Sequence, residues 1–152
     1  DLPGIYEVIS GQCAAVDAVQ QTAVDGLAII PSNINLAGAA IELVEQERRD
    51  FFLKDALLDL DDDYDYIFID CPPALNLLTL NALVAAQAVL VPLQCEFYAL
   101  EGVSQLVKTI EQVKVSFNAG LEIQGIVLTM YDQRNNLSVD VARYKHWRSN
   151  TS

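Results

Sequence analysis

The chemistry of this chain starts from Asp70. It closes the run Tyr64-Asp65-Tyr66-Ile67-Phe68-Ile69 and is followed at once by Cys71, Pro72 and Pro73. A short apolar run ending in this way reads as a buried parallel strand, and open α/β sheets hold ligands beyond the carboxyl ends of such strands. A carboxylate there suits Mg²⁺, which keeps much of its water shell, takes one or two protein oxygens and draws the rest from phosphate. The residues alone leave a second reading open, in which Asp70 caps the next helix or closes a turn with Pro72. What would decide is a loop of the form G-x-x-x-x-G-K-[ST], whose backbone N–H groups and lysine surround phosphates. No lysine here follows a glycine: Lys54, Lys108, Lys114 and Lys145 are preceded by Leu53, Val107, Val113 and Tyr144. If Asp70 faces a nucleotide, these residues form half of a site.

Other chemistries are poorly provided for. Cys13, Cys71 and Cys95 are far apart and form no CxxC pair, so free thiols of a reducing compartment are expected rather than a zinc or iron–sulfur centre. The run Asp59-Leu60-Asp61-Asp62-Asp63 lacks the central glycine and closing glutamate of a calcium loop and reads as a solvated turn. Net charge is −12, with 15 acids and 3 bases in residues 1–76 and 6 of each in residues 77–152. A nucleic-acid binder needs a basic stripe, and the one candidate, Arg143, Lys145, His146 and Arg148, reads as a solvated helix end.

Strands are predicted at Leu27–Ile30, Tyr66–Ile69, Ala88–Val91 and Ile123–Thr129, each running into a polar or proline-containing loop. Helices are predicted at Ile5–Ile9, Ala14–Gln20, Leu36–Glu47, Phe51–Leu60, Leu75–Ala86 and Ala99–Phe117. The last carries Leu100, Val103, Val107, Ile110, Val113 and Phe117 at spacings of three and four, one buried stripe stopped by Asn118 and Gly120. The alternation implies an α/β fold, a mostly parallel sheet with helices on both faces. Its loops would gather on one rim. The 152 residues suffice for one domain, taken as 1–144, with a polar, frayed tail over 145–152. No apolar stretch approaches the ~20 residues that cross a bilayer, so neither a membrane span nor a basic, leucine-rich leader is expected.

Four motifs, in order, carry a family resemblance over roughly residues 3 to 141. They are Pro31-Ser32-Asn33-Ile34-Asn35-Leu36-Ala37-Gly38-Ala39; Tyr66 to Pro73 with Leu77 to Leu83; Val91 to Gly102; and Leu128-Thr129-Met130-Tyr131-Asp132. Together they resemble the ParA/Soj chromosome- and plasmid-partitioning ATPases, relatives of MinD. The resemblance implies a P-loop NTPase-like fold, incomplete here, with ATP and Mg²⁺ as cofactors. It implies ATP-driven homodimerisation, nonspecific DNA binding, a ParB-type partner that stimulates hydrolysis, and a cytoplasmic, nucleoid-associated parent. Asp70 matches the Walker B aspartate at the Mg²⁺ site, and Cys71, Pro72 and Pro73 the switch segment after it. Met130 matches a loop near the adenine, with a core-capping role as the alternative. Gln94 and Glu96 match a dimer or partner face, where Phe97 and Tyr98 also serve to anchor the next helix. The family's phosphate loop and second aspartate precede the matched region, and its basic DNA-binding helix follows it. The expectation is a central portion of a ParA-type ATPase, inactive alone and prone to associate. Two alternatives stand beside it: a nonenzymatic remnant serving as an interaction module, and a MinD-like positioning ATPase.

Overall fold

The computed structural model describes residues 2–60, 62–72, 74–94 and 99–130. They fall into two compact units, Asp1–Ala86 and Gln87–Ser152.

In the first unit the elements are α1 (Ile5–Ile9), α2 (Ala15–Ala18), β1 (Gln20–Gln21), β2 (Ala28–Ile29), α3 (Leu36–Glu42), α4 (Phe52–Leu57, continued by a 3-10 turn over Leu58–Leu60) and α5 (Leu77–Ala85). Ile9, Ala39, Leu43, Leu53 and Ala82 form one buried cluster, against which Leu36, Phe52, Ile69, Leu77 and Leu78 pack. Burying a side chain such as Leu53 stabilises by about 1.5–3 kcal/mol. Val8, Ala15, Ala18 and Leu60 form a second cluster.

In the second unit β3 (Ala88–Gln94) pairs in parallel with β4 (Glu122–Thr129), the two linked by α6 (Ala99–Ser116). Val107, Ile110 and Val113 of the predicted α6 stripe are buried, whereas Phe117 is 37% exposed. The Phe117 and Asn118 N–H groups both donate to Val113 O, closing the helix where Asn118 was expected to stop it. Along β3, Val89, Val91 and Leu93 are covered while Leu90 is exposed, a one-sided alternation rather than burial on both faces.

Several elements differ from expectation. The segment Tyr66–Ile69 is not a strand among the described residues. No described strand pairs with it, and Tyr66 and Phe68 line an open cavity of about 480 Å³ together with Gln21, Gly26 and Ala28. Tyr66 and Phe68 are consequently 81% and 88% exposed. The Leu27–Ile30 strand shortens to Ala28–Ile29 and is antiparallel to Gln20–Gln21, so it does not extend a parallel sheet. That pairing also ends the predicted Ala14–Gln20 helix early, at Ala18. Gly26, at φ 74°, supplies the left-handed position in the β1–β2 turn. Helix α3 stops at Glu42 instead of Glu47, and beyond it the Val44 N–H to Ile41 O and Gln46 N–H to Leu43 O bonds close tighter three-residue turns. Among the described residues no helix is long and apolar enough to cross a membrane.

Candidate functional site

Asp70 sits on a short tether between two fixed points. Upstream, Ile69 is half-buried against the main core cluster of the first unit. Downstream, Asn76 caps α5: its Oδ1 accepts from the Leu78 N–H at 3.0 Å and the Thr79 N–H at 3.1 Å. The Thr79 hydroxyl in turn donates to Ala74 O at 2.6 Å. Between these anchors Asp70 is exposed, and no ion pair or hydrogen bond occupies its carboxylate among the described residues.

Cys71 donates weakly from Sγ to Ile69 O at 3.7 Å. Packing around the sulfur, and then the neighbouring Asp70 carboxylate, push its thiol above the ordinary value. Pro72 is exposed, and Pro73 lies outside the described residues.

Gln94 and Met130 belong to the second unit and share one end of the β3–β4 pair. The register sets Gln94 beside Thr129, the residue before Met130. Met130 is 80% exposed at φ 54°, left-handed backbone that a methionine seldom adopts. It therefore caps no core. Glu96, Phe97, Tyr98, Cys95, Tyr131, Asp132, the Arg143–Arg148 basic cluster and the 145–152 tail lie outside the described residues.

Among the described residues no three carboxylate, thiol or imidazole groups converge as a metal cage. A cation held at Asp70 would have one protein carboxylate and would need its other oxygens from phosphate and water, which is the coordination habit of Mg²⁺. Asp70 fits that role, since its oxygens are free to bind without breaking a contact.

Two positioning features had little signal in the sequence. Asn81 is fully buried; its Oδ1 accepts from the Leu53 N–H at 3.2 Å, and its Nδ2 donates to Arg49 O at 2.8 Å and Leu77 O at 3.0 Å. It ties α5 to the start of α4. The only hint was an amide inside the apolar run Leu77-Leu78-Thr79-Leu80-Asn81-Ala82-Leu83. The second feature clamps the Pro31-Ser32-Asn33 loop to α1. The Ile5 N–H donates to Pro31 O at 2.8 Å, the Gly4 N–H donates to Glu7 Oε2 at 2.8 Å, and a Cβ on Gly4 would stand 2.4 Å from Pro31 O.

The family described as an AAA domain matches residues 3–123. The chain belongs to that family. The chromosome partitioning protein ParA of Caulobacter vibrioides is 53% identical over 141 residues, which are 91% of this chain and 53% of that protein. The sporulation initiation inhibitor protein Soj of Bacillus subtilis is 47% identical over 137 residues, 90% of this chain and 54% of that one. The chain thus spans about half the length of the curated relatives it matches. Among solved structures, a cobyrinic acid a,c-diamide synthase from Mycobacterium smegmatis with bound ATP analog and magnesium superimposes with a TM-score of 0.88 at 43% identity, covering 95% of this chain and 59% of that one. A plasmid partition protein from Borrelia burgdorferi gives 0.81 at 26% identity, covering 93% and 58%. The ParA/Soj resemblance carried by the four motifs extends over most of the chain, and the α/β fold is of the P-loop NTPase, ParA-like kind.

Proposed function

We propose that these residues are the central portion of a ParA-type partitioning ATPase, in which Asp70 supplies the protein oxygen to a Mg²⁺–ATP complex. The observation that carries this reading is the unpaired, exposed Asp70 carboxylate, held between the Ile69 anchor and the Asn76 cap in a chain 53% identical to a chromosome partitioning protein ParA. Bound Mg²⁺ would neutralise charge on the phosphate oxygens as the terminal phosphoryl group transfers. Cys71, Pro72 and Pro73 are the segment that reads the phosphate state, since they adjoin Asp70 and precede the capped start of α5. Met130 offers an exposed thioether for a base contact, and Gln94 with Glu96 a dimer or partner face. The phosphate-binding loop comes from residues other than these 152, so the domain assignment 1–144 with a tail at 145–152 describes part of a larger unit, inactive by itself.

In the parent, ATP-dependent homodimerisation, nonspecific DNA binding and a ParB-type stimulating partner place the protein on the nucleoid in the cytoplasm. The Mycobacterium smegmatis neighbour carries the name of a different activity at 43% identity. Relatives at 53% and 50% carry partition names, which favours partition.

Titration calorimetry with Mg²⁺–ATP tests the proposal. The 152-residue chain is expected to show no micromolar, Mg²⁺-dependent binding, and a longer chain that includes a phosphate loop is expected to show it. In that longer chain Asp70→Asn should lower turnover on the order of 10²–10³-fold, the rate equivalent of a few kcal/mol of charge stabilisation. Unchanged turnover and Mg²⁺ dependence in Asp70→Asn would remove Asp70 from the site.

A further inference from the structure

Thr79 is buried on α5, one turn from the buried Ala82 and Leu83, with 7% of its surface exposed. A hydroxyl so placed needs a partner, and within a helix the usual one is the carbonyl four residues back. Here the hydroxyl passes that carbonyl, at Leu75, and donates at 2.6 Å to Ala74 O, five residues back and outside the helix. The Thr79 N–H also turns to the segment before α5, donating to Asn76 Oδ1 at 3.1 Å. Ala74 O takes a second donor, the Asn76 N–H at 3.1 Å, which closes a tight turn there. The helix that carries the hydroxyl is itself fixed, because Asn81 ties α5 to the Leu53 N–H and Arg49 O.

Asp70 lies four residues before this pinned carbonyl and one after Ile69, which packs on the main core cluster. Consecutive Cα atoms stay about 3.8 Å apart across trans peptides, so a stretch this short with both ends held has few positions open to it. Pro72 and Pro73 narrow the choice further, since each proline ring fixes one of the two soft backbone dihedrals. A shift of Ala74 is therefore passed on to Asp70 instead of being absorbed. Stability has little need of the Thr79–Ala74 bond. Ala74 is exposed, so without the hydroxyl its carbonyl keeps the Asn76 N–H and gains water.

We propose that Thr79 is a positioning residue for Asp70: its hydroxyl, acting through Ala74 O, holds the Asp70 carboxylate where it meets the divalent cation of a bound nucleotide. The inference rests on the Mg²⁺ role of Asp70 proposed above. Groups that orient a metal's ligands commonly govern its affinity by about 10–100-fold.

The test uses the longer chain that includes a phosphate loop, with ATP affinity measured by titration calorimetry in Mg²⁺ and again in EDTA. The ratio of the two affinities is the gain due to the metal. Thr79→Val keeps the shape and loses the hydroxyl; it should cut that gain about tenfold or more, with affinity in EDTA unchanged. Thr79→Ser, which keeps the hydroxyl, should restore it. In nucleotide-free protein, amide exchange followed by NMR should quicken at Asn76 in Thr79→Val, while Leu80 to Ala85 of α5 keep their protection. The proposal is overturned if Thr79→Val retains the full gain, if it weakens ATP binding equally in EDTA, if Thr79→Ser behaves as Thr79→Val does, or if exchange at Asn76 is unchanged. Asp70→Asn separates the two readings. Loss of the gain in Asp70→Asn but not in Thr79→Val sinks the Thr79 role alone, whereas a gain retained in Asp70→Asn sinks the Asp70 role and this inference with it.

Discussion

Glu7 does its work through one carboxylate oxygen. That oxygen takes the Gly4 N–H, one of the donors that the start of a helix leaves without a partner. The bond favours the ionised form, and a contact from Asn33 adds to it, so the Glu7 carboxyl titrates below its ordinary value. A carboxyl depressed on folding stabilises above its unfolded value of about 4.3 and loses that contribution as pH falls through the lower folded value. Glu7→Gln keeps an acceptor but not the charge. Urea unfolding should therefore find Glu7→Gln less stable than the parent near neutrality, with the gap closing below about pH 4. A gap that stayed constant across that range would mean the charge is irrelevant. Because Glu7 also touches Asn33, the variant reports on the same clamp that seats the Pro31–Asn33 loop on α1.

At the scale of elements, α5 is held by Asn81 rather than by its apolar side chains alone. Replacing Asn81 with Ala would leave the buried Leu53 N–H without its partner, at about 1–3 kcal/mol, and would also remove the part-buried bonds to Arg49 O and Leu77 O. Asn81→Ala should thus cost about 2–4 kcal/mol in chemical denaturation, and Asn81→Asp should also destabilise, because it turns an acceptor toward Arg49 O. The contrast with α6 and the β3–β4 pair explains which elements sequence could reveal. Val107, Ile110 and Val113 announce α6 through their own spacing, and β3 and β4 supply each other's ladder. Asn81 depends on groups 28 and 32 residues away, which no local period encodes. The segment Tyr66–Ile69 has the composition of a strand, yet a strand exists only where a neighbour lies within hydrogen-bonding distance, and no described strand pairs with it. At the candidate site, Asp70 was legible from its type and its place before two prolines. The left-handed backbone of Met130 was not, since methionine gives no cue for it.

For the molecule as a whole, exposed apolar surface and net charge pull in opposite directions. Tyr66 and Phe68 stand on the same side of an extended segment, ring centroids 6.3 Å apart, with backbone that no described strand pairs. Such a segment is a template for association between chains. The net charge of −12 opposes it. Repulsion of that kind is long-ranged at low ionic strength and falls off as the Debye length shrinks from about 30 Å at 0.01 M salt to about 8 Å at 0.15 M. Light scattering of the 152-residue chain should consequently show association that grows with protein concentration and with added salt. Tyr66→Lys/Phe68→Lys separates the two forces, because it removes the aromatic surface while making the chain less negative by two. If charge alone governed association, that variant would associate more than its parent. If the unpaired apolar segment governs it, the variant should stay monomeric at salt concentrations where the parent does not, with its circular dichroism unchanged.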